Sequence, residues 1–206
     1  MTSYHEYNKI AKAHTLIEHL ENGEDIALIT DAGTPGISDP GEELVKMAYE
    51  AGIEVTSLPG ACACVTALTL SGLSTRRFVF EAFLPPDKKE HKLALERLKN
   101  ETRTMIVYEA PHHLLKTLRE LLETLGNRRL TLCRELTKKH ETAWQTTIED
   151  AITRYEQEDP KGECVLVIEG RSQKEIEDEA KAAFEEISIE EHMKRYEDQG
   201  LSLIHI

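Results

Sequence analysis

A loop rich in glycine and proline, Asp31-Ala-Gly-Thr-Pro-Gly-Ile-Ser-Asp-Pro-Gly41, has the residue types best suited to binding a ligand. It follows the apolar run 26–30, typical of a buried parallel strand, and precedes a helical pattern with glutamates in its first turn. Open α/β sheets bind ligands where their strands end and such loops begin. Its three glycines let the backbone approach a ligand without interference from Cβ atoms. The pattern predicts a binding loop at the carboxyl edge of a sheet.

A second strand–turn–helix unit follows. The apolar segment 53–58 runs into Pro59-Gly60 and then into a helix of small residues, 61–71, ended by Gly72. Cys62 and Cys64 have C-x-C spacing with no second pair downstream, which argues against a zinc site. All four cysteines, Cys133 and Cys164 included, are predicted to be small buried hydrophobic residues in a reducing cytosol. No metal site is predicted.

The elements that must position these loops alternate between strand and helix patterns, which predicts an α/β fold. Further helices are predicted at 8–21, 41–51, 88–100, 114–125 and 148–157, and further strands at 78–83, 104–109, 129–135 and 164–169. Because a new strand starts directly after 74–77, that segment is interpreted as a domain junction. The predicted parts are an N-terminal α/β domain over 1–75, a second α/β domain over 76–170, and an acidic helical tail over 171–206 with helices near 173–186 and 189–199.

The charge is unevenly distributed along the chain. The net charge of −13 argues against nucleic acid when taken alone, but residues 1–74 carry −8, residues 75–140 carry +6 and residues 141–206 carry −11. The basic clusters of the middle third are Arg76-Arg77, Lys88-Lys89, Arg128-Arg129 and Lys138-Lys139. Two interpretations stay open: a mixed-charge helical surface without a partner, or a surface facing RNA phosphates. Neither a signal peptide nor an apolar run of the roughly 18–20 residues needed to span a membrane occurs.

Seven motifs in a fixed order closely resemble the 16S ribosomal RNA (cytidine 2′-O) methyltransferases, over about residues 2–202. They are Ser3-Tyr-His-Glu-Tyr-Asn8, the loop Asp31–Gly41, Leu58-Pro-Gly-Ala61, Phe80-Glu-Ala-Phe-Leu-Pro85, Tyr108-Glu109, Arg134-Glu-Leu-Thr-Lys138 and Lys161-Gly-Glu163. The resemblance implies the two-domain tetrapyrrole-methylase fold, with a parallel-sheet N-terminal domain and a mixed-sheet C-terminal domain. It also implies S-adenosylmethionine (SAM) in the cleft between the domains, and methyl transfer to the ribose 2′-hydroxyl of a decoding-region cytidine.

The chain departs from this family at both ends. Family members begin with a strand and an A-T-P-I-G-N-L type loop, followed by an A-E-D-T-R type segment, and neither occurs here. After Gln199-Gly-Leu-Ser202 the family continues into basic helices, whereas this chain stops with Leu203-Ile-His-Ile206. The expectation is a fragment that lacks the first strand and carries a non-native tail.

The resemblance assigns a set of site residues. Asp31 is expected to hold the SAM amino group or stabilise the sulfonium, although an Asx turn that caps the loop is the alternative. Tyr108 is expected to approach SAM from the second domain, although burial in the core is its alternative. The remaining predicted SAM-binding residues are Gly33, Thr34, Pro35, Gly60, Ala61, Cys62, Glu109, Ala110, Leu136, Gly162, Glu163 and Cys164.

Methylation of a ribose hydroxyl needs the acceptor oxygen in line with the methyl carbon, together with a group that takes its proton. Lys138, Glu141 and His5 are the candidates for that group, each with an alternative as a solvated loop charge or ion-pair member. Arg134 has the planar fork that suits a phosphate. Arg76 and Arg77 are predicted to bind RNA because of the basic balance of the middle third.

Two other functions stay open. One is a tetrapyrrole or corrin methylase with the same fold, and the other is a non-catalytic ribosome-binding fragment. A dehydrogenase and a P-loop enzyme are poorly supported because neither G-x-G-x-x-G nor G-x-x-x-x-G-K-[ST] occurs. The expected partner is 16S rRNA or the small ribosomal subunit in the cytoplasm, without a membrane, and the resemblance leaves a homodimer open.

Overall fold

A five-stranded mixed sheet forms the centre of the computed structural model, which describes residues 1–185 and Asp198. In chain order the elements are α1 (Lys9–Glu21), α2 (Gly41–Glu50), α3 (Ala63–Ser71), β1 (Phe78–Phe83), α4 (Lys88–Lys99), β2 (Thr104–Glu109), α5 (Leu114–Leu125), β3 (Arg129–Arg134), β4 (Thr142–Thr147), α6 (Ile148–Tyr155), β5 (Cys164–Ile168) and α7 (Gln173–Glu185). The strand order is β1-β2-β5-β3-β4, with β1 and β2 parallel and the other pairs antiparallel. The predicted α/β class and the mixed sheet are therefore confirmed.

Both faces of this sheet are covered, which explains the continuous apolar runs of β2 and β5. Met105, Val107, Leu166 and Ile168 point into a core made with α4, α5 and α6. On the opposite face Ile106, Cys133, Val165 and Val167 pack against Cys64, Ala67 and Leu68 of α3. Helix α3, although early in the sequence, is thus a layer of the central sheet.

Hydrogen bonds fix α3 on that face. The Thr131 hydroxyl donates to the Ser71 carbonyl oxygen at 3.2 Å, and the Gln145 side-chain amide donates to the same oxygen at 3.2 Å. Thr104 donates through its hydroxyl to the Ser74 carbonyl oxygen at 2.8 Å. These bonds satisfy polar groups at the carboxyl end of the helix, so its position is set by polar pairing as well as by apolar burial.

The two strands predicted in the N-terminal part, 26–30 and 53–58, are not formed. Both segments keep the alternation of a strand on one side, because Ile26, Leu28, Ile53 and Val55 pack against α1 and α2. Their other side lies open: Ile29 is 75% exposed and Leu58 is 83% exposed. Within residues 1–185 no strand pairs with either segment, and a strand without a ladder partner leaves its backbone groups to water.

Strand β4 was not predicted from the sequence. Apart from Asp198, the predicted helix near 189–199 lies outside the described residues, and so does the segment Leu203–Ile206. None of the helices within residues 1–185 is both long and apolar enough to cross a membrane. The same part of the chain holds no cluster of three or more His, Cys, Asp or Glu residues that could bind a metal ion.

Candidate functional site

The glycine loop and the Pro59-Gly60 turn, predicted separately from the sequence, lie against each other. Thr34 donates to the Ala61 carbonyl oxygen twice, through its backbone N–H at 2.9 Å and its hydroxyl at 3.2 Å. A Cβ atom on Gly33, whose φ is +77°, would lie 2.9 Å from that oxygen. A Cβ atom on Gly60 would lie 2.7 Å from the Thr34 hydroxyl. The two glycines are therefore required for the close contact between the segments.

Asp39, which the sequence analysis did not assign to the site, builds this loop. Its Oδ1 atom accepts from the N–H groups of Gly36 at 3.3 Å and Gly41 at 3.1 Å, and so closes the loop at the start of α2. The signal for it was an aspartate two residues before the first residue of a helix. Asp31 is exposed at the start of the loop. Pro35 is half-buried within the loop.

Tyr108 joins the beginning of α3 to the end of β2. Its hydroxyl oxygen accepts from the Cys64 N–H at 2.9 Å, and burial raises the pKa of Tyr108 well above its ordinary value. The rings of Phe80 and Phe83 stand edge-on to the Tyr108 ring, with centroids 5.0 and 5.7 Å away. A bulge with Ala82 at φ +54° allows two aromatic residues three positions apart on β1 to reach the same ring.

An apolar wall continues from Tyr108 across the same face of the sheet. Half-buried Cys62 and Leu136 pack with Tyr108 on the cluster formed by α3 and the sheet. Cys62 lies at the N-cap of α3, and its Sγ atom is 3.3 Å from the Sγ atom of Cys64. The structure thus brings residues from the loop 31–36, the turn 59–62, β2 and the segment after β3 to one region.

A cluster of charged residues, Glu135, Lys138 and Glu163, lies at the same edge of the sheet. At this edge Glu109 of β2 and Arg134 of β3 both pair with Cys164 of β5. The Lys138 ammonium donates to Glu135 at 3.2 Å and to Glu163 at 3.0 Å. These bonds raise the pKa of Lys138, and the Lys138 bond is the main reason that the pKa of Glu135 is lowered.

Backbone strain accompanies this cluster. Glu135 and Thr137 have φ values of +50° and +66°, and a Cβ atom on Gly162 would collide with the Glu135 side chain. The Glu135 carboxylate also accepts from the Glu163 N–H at 3.1 Å, so the turn before β5 is built around it.

Two predicted SAM-binding side chains point to the other face. Glu109 is 8% exposed, and its carboxylate accepts from the Ala110 N–H at 2.7 Å and from the Thr117 hydroxyl of α5 at 2.6 Å. Cys164 lies in the core with the helices, where burial raises the pKa of its thiol to about 11. The backbone of both residues remains at the site edge, whereas their side chains support the fold.

The candidate proton acceptors are divided between two places. Glu141 accepts from the Thr137 N–H at 2.6 Å, in the same turn as Lys138. His5 lies in the N-terminal segment, where its ring stands edge-on to the Tyr7 ring with centroids 6.1 Å apart. The backbone N–H of His5 donates to the Asn8 side-chain oxygen at 2.9 Å. Lys138 and Glu141 are therefore neighbours, and His5 is positioned by other contacts.

The arginines predicted to bind RNA are also separated. Arg134 ends β3 at the site edge and donates through Nε to the Lys161 carbonyl oxygen at 2.9 Å. Arg76 and Arg77 are exposed immediately before β1, at the opposite edge of the sheet from Tyr108. Since a strand rises about 3.3 Å per residue, β1 separates the two edges by about 20 Å.

The fold places the chain in the tetrapyrrole-methylase structural class. The methyltransferase CobJ aligns with a TM-score of 0.60 at 19% identity, over 79% of this chain and 71% of that one. A uroporphyrin-III C-methyl transferase from Thermus thermophilus, complexed with S-adenyl homocysteine, aligns with a TM-score of 0.53 at 18% identity, over 77% and 73%. At these identities the alignments show a shared fold.

Sequence similarity gives the family. Residues 2–152 match the family described as Tetrapyrrole (Corrin/Porphyrin) Methylases, and the chain belongs to it. Ribosomal RNA small subunit methyltransferase I of Synechocystis sp. is 45% identical over 201 residues, 97% of this chain and 70% of that protein. The protein of the same name from Bacillus subtilis is 44% identical over 200 residues, 97% of this chain and 68% of that protein. The methyltransferase family expected from the motifs is confirmed.

Proposed function

We propose that this chain is a SAM-dependent methyltransferase that acts on the ribose 2′-hydroxyl of a cytidine in the decoding region of 16S rRNA. The observation that carries the proposal is the 45% identity, over 97% of the chain, to a relative named ribosomal RNA small subunit methyltransferase I. The aligned 201 residues include the loop, the turn and the edge of the sheet described above.

The residues at the edge fit the chemistry of SAM. SAM needs backbone donors and acceptors for its methionine end and apolar walls for its adenine. The backbone of Gly33–Pro35 and Gly60–Cys62 offers the first, apart from the Thr34 N–H and the Ala61 carbonyl oxygen, which bond each other. The Cys62, Tyr108 and Leu136 side chains offer the second. Asp31 supplies an exposed carboxylate for a cationic group. When bound, SAM supplies an electrophilic methyl group. That a fold relative is complexed with S-adenyl homocysteine supports the choice of cofactor.

The residues of the charged cluster suit the acceptor side. Because SAM is a strong electrophile, holding the ribose oxygen in line provides most of the rate, and a weak proton acceptor is sufficient. Lys138, which its carboxylate partners keep charged, is suited to hold a phosphate or a developing negative charge rather than to remove a proton. Glu141 is then the better candidate for the proton acceptor, and Arg134 for a phosphate contact.

Methyl transfer to isolated small ribosomal subunits tests the proposal. With methyl-labelled SAM we expect label in 16S rRNA, within an alkali-resistant dinucleotide, because 2′-O-methylation removes the hydroxyl that alkaline cleavage requires. Naked 16S rRNA, tested in parallel, identifies the form of the acceptor. Label in uroporphyrinogen instead of rRNA would replace the proposal by a tetrapyrrole methylase. Binding to the subunit without affinity for SAM would replace it by a non-catalytic ribosome-binding protein.

A further inference from the structure

Two cysteine thiols lie in contact at the beginning of α3. Their Sγ atoms are 3.3 Å apart, close to the separation from which a disulfide of about 2.0 Å can form. Cys62 is half-buried and therefore reachable, whereas Cys64 is 5% exposed and lies behind it in the apolar cluster. The other two cysteines, Cys133 and Cys164, are 0% and 2% exposed.

The surroundings of this pair connect it to the candidate site. The Cys64 N–H donates to the Tyr108 hydroxyl oxygen at 2.9 Å, and the Ala61 carbonyl oxygen next to Cys62 accepts both bonds from Thr34. Cys62 is extended, with φ −141° and ψ 120°, and Cys64 already lies in the first turn of the helix. Drawing the two sulfurs together pulls on the backbone of 61–64, which carries these contacts.

We propose that Cys62 and Cys64 form a reversible dithiol–disulfide site, oxidised by a hydroperoxide, whose closure displaces the turn 59–62 and weakens cofactor binding. The Cys62 sulfur, as thiolate, attacks one peroxide oxygen; the O–O bond breaks, and a sulfenic acid and a hydroxide form. The Cys64 sulfur then attacks the Cys62 sulfur, and the S–O bond breaks. The departing hydroxide takes up the Cys64 proton as water. The hydroxide of the first step takes up the proton that Cys62 released when it became a thiolate. With hydrogen peroxide as the hydroperoxide, two thiols are therefore oxidised, one peroxide is reduced, and two waters form.

Cys62 and Cys64 differ in exposure, and this difference gives them different roles in the reaction. Burial and the contact with Cys62 raise the pKa of Cys64 to about 11, which keeps it a thiol until a sulfenic acid forms beside it. The more accessible Cys62 therefore reacts first and Cys64 resolves the product. The effect on cofactor affinity rests on the proposed function, whereas the formation of the disulfide does not.

Peroxide treatment of the whole chain, followed by tryptic digestion and mass spectrometry, tests the disulfide. Both cysteines fall in the peptide 47–76, which we expect to become lighter by two hydrogen atoms and to recover its mass with dithiothreitol. In denaturant the number of free thiols should fall from four to two. The variant Cys64→Ala should instead accumulate oxygen adducts on Cys62. The matched control Cys133→Ala, which removes a buried cysteine of the same cluster, should still form the disulfide.

Oxygen adducts in the wild-type peptide without the two-hydrogen loss, or equal oxidation of Cys133 and Cys164, would overturn the proposal. Titration with SAM before and after oxidation tests the consequence: we expect an affinity about tenfold weaker that dithiothreitol restores, and unchanged affinity in a fully oxidised chain would overturn that part. Failure of the reduced chain to bind SAM would refute the proposed function while the mass measurement still decides the disulfide.

Discussion

At the scale of single residues, the candidate site depends on groups that are small or already hydrogen-bonded. Gly33 and Gly60 allow the loop and the turn to touch, and Tyr108 attaches α3 to β2 through one hydrogen bond. The motifs pointed to these residues, but sequence could not show that the Thr34 N–H and hydroxyl share the Ala61 carbonyl oxygen, because that hydrogen bonding joins positions 27 residues apart. The alternation of a strand places Tyr108 and Glu109 on opposite faces of β2, but sequence could not show that α3 covers the face of Tyr108 and α5 the face of Glu109.

Lys138 gives a prediction at this scale. The hydrogen bonds to Glu163 and Glu135 raise the pKa of Lys138. Its ammonium group is therefore charged at every pH below the ordinary lysine pKa and loses its proton only above that pKa. Over pH 6–9 it stays positive. Lys138→Gln should lower the rate of methyl transfer severalfold without changing the shape of the pH–rate profile in that window. Lys139→Gln, the same change on the exposed neighbour, is the control. Disappearance of a pH-dependent limb in Lys138→Gln would identify Lys138 as the base.

At the scale of elements, the sequence predicted best where periodicity and burial agree. The bounds predicted for β1 and β2 match the structure, and α5 spans the predicted 114–125 because its leucines form one apolar face. β4 was missed because Thr142–Thr147 is an edge strand of mostly polar residues, and only its pairing with β3 specifies it. The segments 26–30 and 53–58 were predicted wrongly as strands for the opposite reason: their apolar pattern is present, but residues 1–185 supply no ladder partner.

The connection between α4 and β2 gives a prediction at the element scale. The Glu101 carboxylate accepts from the Arg103 N–H and guanidinium at 2.6–2.8 Å, and these bonds lower its pKa to about 2. A carboxyl group whose pKa is depressed in the folded state stabilises the fold at pH values above its unfolded-state pKa of 4.5. This stabilisation is lost as the pH falls toward 2. Glu101→Gln should therefore cost about 1 kcal/mol in free energy of unfolding at pH 7, given the partly exposed partner.

The difference between Glu101→Gln and the wild type should shrink as denaturant titrations are repeated from pH 5 down to pH 2. Glu96→Gln, on the exposed face of α4, provides the control. A difference that stays constant over this range would show that the carboxylate charge does not stabilise the connection.

At the scale of the whole molecule, the basic balance of residues 75–140 separates into structural and surface charge. Arg128 is 8% exposed and donates to the carbonyl oxygens of Leu125, Lys99 and Glu169, and Arg129 pairs with Glu169 at 2.6 Å. Arg128 and Arg129 therefore stabilise the fold. Arg76 and Arg77, in contrast, are exposed at the edge of the sheet opposite Tyr108. Composition could count these charges but could not assign them to the core or the surface.

RNA binding by Arg76 and Arg77 gives a prediction at this scale. Reversing both charges, Arg76→Glu with Arg77→Glu, should weaken binding to 16S rRNA and reduce the slope of log affinity against log salt by about 0.7 for each phosphate that the variant no longer neutralises. Lys174→Glu with Lys181→Glu, the same charge change on exposed positions of α7, should leave the slope unchanged. Equal slopes in all three proteins would remove this edge from the RNA-binding surface.

Calorimetric titration of SAM into the wild type, Gly33→Ala and Gly52→Ala tests the claim that the loop 31–36 and the turn 59–62 form the SAM site. Both glycines have positive φ, +77° and +71°, so each alanine should cost about 1 kcal/mol of stability. Only at Gly33 does the new Cβ meet another segment, whereas nothing lies within 4 Å at Gly52. We expect one-to-one binding to the wild type, unchanged affinity in Gly52→Ala and about tenfold weaker binding in Gly33→Ala. A folded wild type that gives no heat with SAM, or equal affinities in Gly33→Ala and the wild type, would contradict the claim.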